Sequence, residues 1–257
     1  MNREWPQSVG EWERSVLVKR AFPGRGESLQ ALQRQVIGCT LCPRLIAYCR
    51  RVAEEKRRMF RDQAYWGRPL PGFGDPDAEL LVVGLAPAAH GGNRTGRMFT
   101  GDRSGDFLYR ALYEAGWANQ PVSRHVDDGL ELKGCYITAA VRCAPPENKP
   151  RPEEIRTCRR WLEAELNLLR RVRAVLALGR IAFDAYLKTV YSRNHFPPRP
   201  TFRFAHGADY ALPEGLPHLF ASYHPSQQNT QTGRLTPEMM GRALENIRRF
   251  LGKQRSE

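Results

Sequence analysis

The chain has 257 residues, 41% of them hydrophobic, which is enough for one substantial core at a length where a single α/β domain is the default. No apolar run approaches the roughly 20 residues that cross a bilayer, and Met1-Asn2-Arg3-Glu4-Trp5 lacks the apolar character of a signal peptide, so the reading is a cytoplasmic protein with no membrane partner. Forty Lys and Arg against 27 Asp and Glu leave a formal charge of +13, which favours a polyanionic partner through the sequence-independent phosphate contribution, although a basic soluble surface gives the same number.

Residues 1–26 read as an irregular charged arm broken by Pro6, Gly10, Pro23 and Gly24, with one domain over 27–257. From Ser28 the spacing of Leu29, Leu32 and Val36 predicts a helix that stops at Gly38, and Pro43 opens a basic helix running to Asp62. Glu79 to Leu85 is almost wholly apolar, which suits a strand buried on both faces. After a long polar loop, Leu108, Ala111, Leu112 and Ala115 mark a helix closed by Gly116. Cys135 to Val141 is the second strand. Pro152-Glu153-Glu154 starts a helix with Ile155, Cys158, Leu162, Leu166 and Leu169 on its apolar face. Ala174 to Leu178 is the third strand, followed by a helix from Arg180 and a Pro-rich loop at Pro197, Pro198 and Pro200. Leu219 to Tyr223 is the fourth strand, and Thr236-Pro237-Glu238 starts a last helix on Met240, Ala243, Leu244 and Ile247. Strands alternating with helices predict a mainly parallel sheet covered on both faces, with ligands bound outside the carboxyl ends of its strands.

Six cysteines in a cytosolic chain point to metal ligation or burial rather than a disulfide framework. Cys39 and Cys42 form one pair and Cys143 and Cys158 another. Four thiolates suit either a [4Fe–4S] cluster or tetrahedral zinc, while Cys49 and Cys135 read as buried thiols. In the loop Gly84–Asp102, small residues leave backbone N–H groups open to a ligand. Phe99 stands outside any periodic stripe there, as a plug or as a stacking platform for a planar base. Asp102 is a helix N-cap by position, a role that does not exclude chemistry.

The Gly84–Asp102 loop, His224-Pro225-Ser226-Gln227-Gln228-Asn229-Thr230 and the paired cysteines together resemble family 5 of the uracil-DNA glycosylase superfamily, the B-type enzymes, over about residues 35–250. The resemblance implies an α/β/α sandwich around a four-stranded, mainly parallel sheet, and a [4Fe–4S] cluster on Cys39, Cys42, Cys143 and Cys158 in place of zinc. It implies excision of uracil, hypoxanthine, xanthine and hydroxymethyluracil from DNA, leaving an abasic site. Where family 4 has an acidic residue after the first strand's glycine this chain has Leu85, and where it has a base-reading asparagine on the second strand this chain has Ala139. The carboxylate must therefore come from elsewhere, and the pocket should discriminate less between bases.

Breaking the N-glycosidic bond of a flipped nucleotide creates an oxocarbenium-like sugar and a departing base anion. For the anion the expected groups are His224 and the N–H groups of Ala86 and Ala88, beside Gly84 and Leu85, with Phe99 stacking on the base. For the sugar and its attacking water they are Asp102 and Asn148, the latter otherwise an ordinary turn residue in Pro145-Pro146-Glu147-Asn148. Ser226, Gln227 and Gln228 are expected to press into the duplex, and Arg180 and Arg234 to meet phosphates unless they are merely solvated. The protein is expected to act as a monomer. Two other readings remain: a protein of the same fold that grips uracil-containing DNA without turnover, and a zinc-stabilised nucleotide-binding enzyme. No Arg-Arg-Ile-His insertion of the kind that traps DNA covalently lies between Asp102 and Leu108.

Overall fold

The computed structural model describes residues 28–194, 202–213 and 215–253, so the arm over 1–26 and the prolines at 197, 198 and 200 lie outside the described residues. Two helices come first, α1 (Leu29–Ile37) and α2 (Pro43–Glu55), then a 3-10 turn (Arg58–Phe60). β1 (Phe73–Gly74), β2 (Leu80–Gly84), the short α3 (Gly92–Thr95), α4 (Arg103–Glu114) and β3 (Cys135–Ala139) follow. A second 3-10 turn (Pro146–Asn148) leads to α5 (Pro152–Leu168), β4 (Ala174–Leu178) and α6 (Arg180–Asn194). β5 (Asp209–Tyr210), β6 (His218–Ser222), α7 (Gln227–Gln231) and α8 (Pro237–Lys253) complete the described chain.

The sheet runs β1-β3-β2-β4-β6-β5. Its four inner strands are parallel, as expected, and β1 and β5 extend it by two antiparallel residues each. The sheet is thus six-stranded with a four-stranded parallel heart. Because side chains alternate along a strand, Leu80, Val82, Ile137, Leu176 and Phe220 face one side, where Leu108 and Leu112 of α4 and Met240, Leu244 and Ile247 of α8 cover them. Leu81, Val83, Tyr136, Val175 and Leu219 face the other side, covered by Leu162 of α5 and Phe183, Tyr186 and Leu187 of α6. These two cores make the three-layer sandwich. No helix among the described residues is long and apolar enough to cross a membrane.

The basic helix ends at Glu55 rather than Asp62, because Lys56 takes φ +47° and turns the chain away. One charged pair crosses the interior. Arg142, just past β3, donates from Nη2 to Glu165 of α5, which also accepts from Thr138 Oγ1 at 2.6 Å, and both charged side chains are 1% exposed. The chain passes from β2 to β3 on one side of the sheet and from β4 to β6 on the other, so the crevice outside β2 and β4 is a topological switch point.

Candidate active site at the carboxyl edge of the sheet

Beyond β2 the backbone stays tied to its neighbour for two more residues, as the carbonyls of Gly84 and Leu85 accept from Ala140 and Val141 N–H at 2.9 Å. α3 then reverses the chain and brings Phe99 back over the sheet. The Phe99 ring lies on Gly84, where a Cβ would fall 2.7 Å from it, and the Phe99 carbonyl lies so close over Gly105 that any side chain there would overlap it. Phe99 takes φ +52°, a left-handed conformation that costs a non-glycine residue roughly 1–3 kcal/mol and needs support from its surroundings. Support comes from both neighbours. Tyr109 Oη donates to the Met98 carbonyl at 2.8 Å, and Thr100 Oγ1 shares a hydrogen bond of 2.6 Å with Ser123. Arg97 donates to Ser123 at 3.0 Å and pairs with Asp128 at 2.7 Å.

His224 follows β6, and its ring lies 5.8 Å from that of Phe99 at 31°. Asn229 Nδ2 donates to the His224 carbonyl at 2.8 Å and Gly179, at the end of β4, packs on its Cβ, so three strand ends fix this imidazole. Burial brings its pKa down to about 4. At neutral pH the ring is uncharged and can donate one hydrogen bond.

Asp102 is the N-cap of α4, its Oδ1 accepting from Gly105 N–H at 3.0 Å. The second oxygen rests against Gly91 with no room for a Cβ between them. Burial raises its pKa, against the lowering effect of the hydrogen bonds from Gly105 and Ser104, so this carboxylate is more basic than an ordinary aspartate. Capping and reactive placement thus coexist. The N–H groups of Ala86 and Ala88 have no partner among the described residues, leaving two donors at the mouth of the loop, with Leu85 beside them.

The other expected residues divide. Gly84 is the seat of Phe99, so the ring comes between it and any ligand lying on Phe99's other face. Asn148 is exposed in the turn Pro146–Asn148, where it and Glu147 take φ +56° and +55°, and no hydrogen bond joins it to Asp102 or His224 among the described residues. Ser226 caps α7 by accepting from Asn229 N–H at 3.4 Å, while Gln227 and Gln228 project into solvent. Arg180 is exposed at the start of α6 near Asp184, and the guanidinium of Arg234 lies 4.6 Å over the Tyr223 ring, one residue before His224. Gly91, Gly105, Asn229 and Ser123 went unassigned in the sequence, since each acts by touching a residue distant from it in the pattern.

Cys39, Cys42, Cys143 and Cys158 line one cavity with Leu41, Leu45, Ile46, Val141, Arg142 and Trp161. Burial pushes the Cys42 thiol up to about 11 and the Cys158 thiol up to about 12, so without a bound cation both are protonated. The Arg142 N–H donates to Cys158 Sγ at 3.3 Å. No group of three or more His, Cys, Asp or Glu side chains among the described residues is arranged to hold a metal ion, although the four thiols share the lining of this cavity. Cys135 is buried on β3 in the sheet core, as expected of a plain thiol. Cys49 is also buried, but it sits beside Cys143, two turns along α2 from Cys42, a helical spacing that signals the same face. The cluster of Leu45, Cys49, Val141, Cys143, Ala144 and Cys158 has Ala86 and Ala89 of the Phe99 loop packed against it.

The imidazole supplies a direct check. The folded-state pKa of His224 lies below the unfolded value of 6.5, so its contribution to stability is intact above 6.5 and is lost as pH falls towards about 4. NMR titration should give a His224 midpoint near 4, and His224→Phe should remove that part of the acid destabilisation. A midpoint near 6.5 would mean that the ring is open to water.

The sequence pattern of the uracil DNA glycosylase superfamily matches residues 71–248. A type-5 uracil-DNA glycosylase of Thermus thermophilus is 55% identical over 223 residues, covering 87% of this chain and 98% of that protein. Similar proteins bearing the same description occur in Mycobacterium tuberculosis, 49% identical over 89% of this chain and 84% of the relative, and in Pyrobaculum aerophilum, 47% identical over 82% and 88%. With the matched span covering both the Phe99 loop and His224, and the relatives aligned over most of their length, the chain belongs to the uracil-DNA glycosylase superfamily, in its type-5 branch.

Proposed function

We propose that the chain hydrolyses the N-glycosidic bond of uracil in DNA, and with it hypoxanthine, xanthine and hydroxymethyluracil, to leave an abasic site. The observation that carries the reading is the neutral His224 ring facing Phe99 at the strand ends, with the desolvated Asp102 carboxylate anchored in the same loop. A flipped base stacks on Phe99, and its developing negative charge is met by His224 N–H and by the free N–H groups of Ala86 and Ala88. Asp102 takes a proton from the attacking water and stabilises the oxocarbenium-like sugar. Ala139 and Leu85 offer the base no polar edge to read, which supports breadth over strict choice of uracil. Asn148 at its exposed turn, and Ser226, Gln227, Gln228, Arg180 and Arg234 around the rim, are assigned to the DNA.

Cys39, Cys42, Cys143 and Cys158 are assigned to a [4Fe–4S] cluster. The donor set suits it, as do the shared cavity that the four thiols line, its apolar surroundings and the N–H···S bond from Arg142. Bound there, the cluster supplies a rigid cross-link between α1–α2 and the segment after β3. Because the apolar cluster that includes Cys143 and Cys158 packs against Ala86 and Ala89, that rigidity reaches the base site.

Single-turnover cleavage of oligonucleotides holding one uracil, hypoxanthine or xanthine, followed by alkaline scission, tests the activity. Asp102→Asn should cap α4 as well as aspartate does yet slow excision by roughly 10²-fold or more; a stable, fully active variant removes Asp102 from the chemistry. Cys158→Ser should lose iron and brown colour while Cys135→Ser keeps both, and full iron content in Cys158→Ser contradicts the ligand set.

A further inference from the structure

Residues 56–68 form a strap along the outside of the Phe99 loop. Arg94 of that loop places its guanidinium 4.0 Å over the Phe60 ring and donates to Gln63. Tyr65 Oη lies 3.1 Å from His90 Nδ1, and the N–H groups of Trp66 and Gly67 donate to the Arg94 and Asn93 carbonyls at 2.9 and 3.0 Å. The strap is thus locked to the loop that carries Phe99 and Asp102.

Its outer side is unlike a neutral connector. Arg57, Arg58 and Arg61 are exposed, as are Arg50 and Arg51 on the preceding helix α2, where Arg51 lies 3.8 Å from Glu55. Met59, which follows Arg58 in the chain, is 73% exposed, the highest of any large hydrophobic residue among those described. No described residue covers this side chain, so its apolar surface is left to water. Guanidinium groups flanking a flexible apolar wedge match the chemistry of DNA, where cations meet phosphates and an apolar side chain enters a base step.

We propose that the strap is a DNA-docking surface, with Arg57, Arg58 and Arg61 on backbone phosphates and Met59 against a base step next to the flipped nucleotide. The inference rests on the glycosylase reading for its orientation, and on charge and the exposed methionine for its partner. Phosphates gripped here would pull on the strap, and through Arg94, His90 and Asn93 would set the Phe99 loop, coupling backbone contact to the base pocket.

The test measures binding of the full chain to undamaged duplex DNA as a function of salt. Arg57→Ala/Arg58→Ala/Arg61→Ala should reduce the slope of log affinity against log salt by about 2–3, since each phosphate contact contributes about 0.9. Arg249→Ala on α8 is the control, an exposed arginine two residues from Leu251, whose carbonyl meets Arg173 at the opposite edge of the sheet, and it should leave the slope unchanged. Met59→Ala should lower the ratio of duplex to single-strand uracil excision about tenfold, since only the duplex offers a base step for the wedge to enter. An unchanged slope in the triple variant, or a slope lowered equally by Arg249→Ala, overturns the surface, and an unchanged excision ratio overturns the wedge. Because the slope is read on undamaged DNA, a wild-type chain that binds but never excises uracil defeats the glycosylase reading without touching the docking surface.

Discussion

The site depends on one steric fact: there is no room for a side chain at Gly84 or Gly105. Phe99 is held between them, its ring on the last residue of β2 and its carbonyl on the first turn of α4. That contact folds a long polar loop back over the sheet. Once the loop is closed, Asp102 reaches the N-terminus of α4, the Ala86 and Ala88 N–H groups are left open, and the Phe99 ring meets His224. A methyl group at either glycine would move Phe99 and all three with it. Positions within an active site tolerate little displacement, since an error of about 1 Å can cost about 10²-fold in rate.

Burial then tunes the chemistry that packing positions. The same desolvation that makes His224 reluctant to gain a proton makes Asp102 readier to accept one. The result is a neutral imidazole beside Phe99 and, three residues along the same loop, a carboxylate more basic than an ordinary aspartate, which suits the proposed charge-separating reaction. Elsewhere burial is handled by pairing. Arg142 and Glu165 neutralise one another at the end of β3, beside the cysteine cavity, so that the region joining the thiols to the sheet carries little net charge. Breaking such a pair from one side would cost several kcal/mol, which fixes the course of the chain between Thr138 and Cys143.

Much of this was legible in the sequence, for identifiable reasons. The inner strands are buried on both faces and read as short apolar runs, while the helices keep one apolar stripe, so layers and connectivity follow from residues such as Val82, Leu112, Leu162 and Leu244. β1 and β5 have two residues each, too few to carry a period. The end of α2 at Lys56 has no glycine or proline to announce it; the strap beyond continues the same charged composition, and only its contacts with Arg94 and His90 set it apart. In the site, Phe99, Asp102 and His224 stood out through the family pattern. The support beneath them did not, because Tyr109, Ser123, Arg97 and Asp128 come together only in three dimensions. Cys49 differs from Cys135 in lying seven residues from Cys42, a helical spacing that places it on the cysteine face of α2, whereas Cys135 sits in the sheet core.

The central claim is that excision uses a neutral His224 and an ionised Asp102, and the pH dependence of single-turnover uracil excision tests it most directly. The rate should rise with pH as Asp102 loses its proton, at a midpoint above the ordinary aspartate value, show no fall through the ordinary histidine range near 6.5, and lose the Asp102-dependent rise in Asp102→Asn. A rate that falls as pH passes upward through 6.5 would require a protonated imidazole and contradict it.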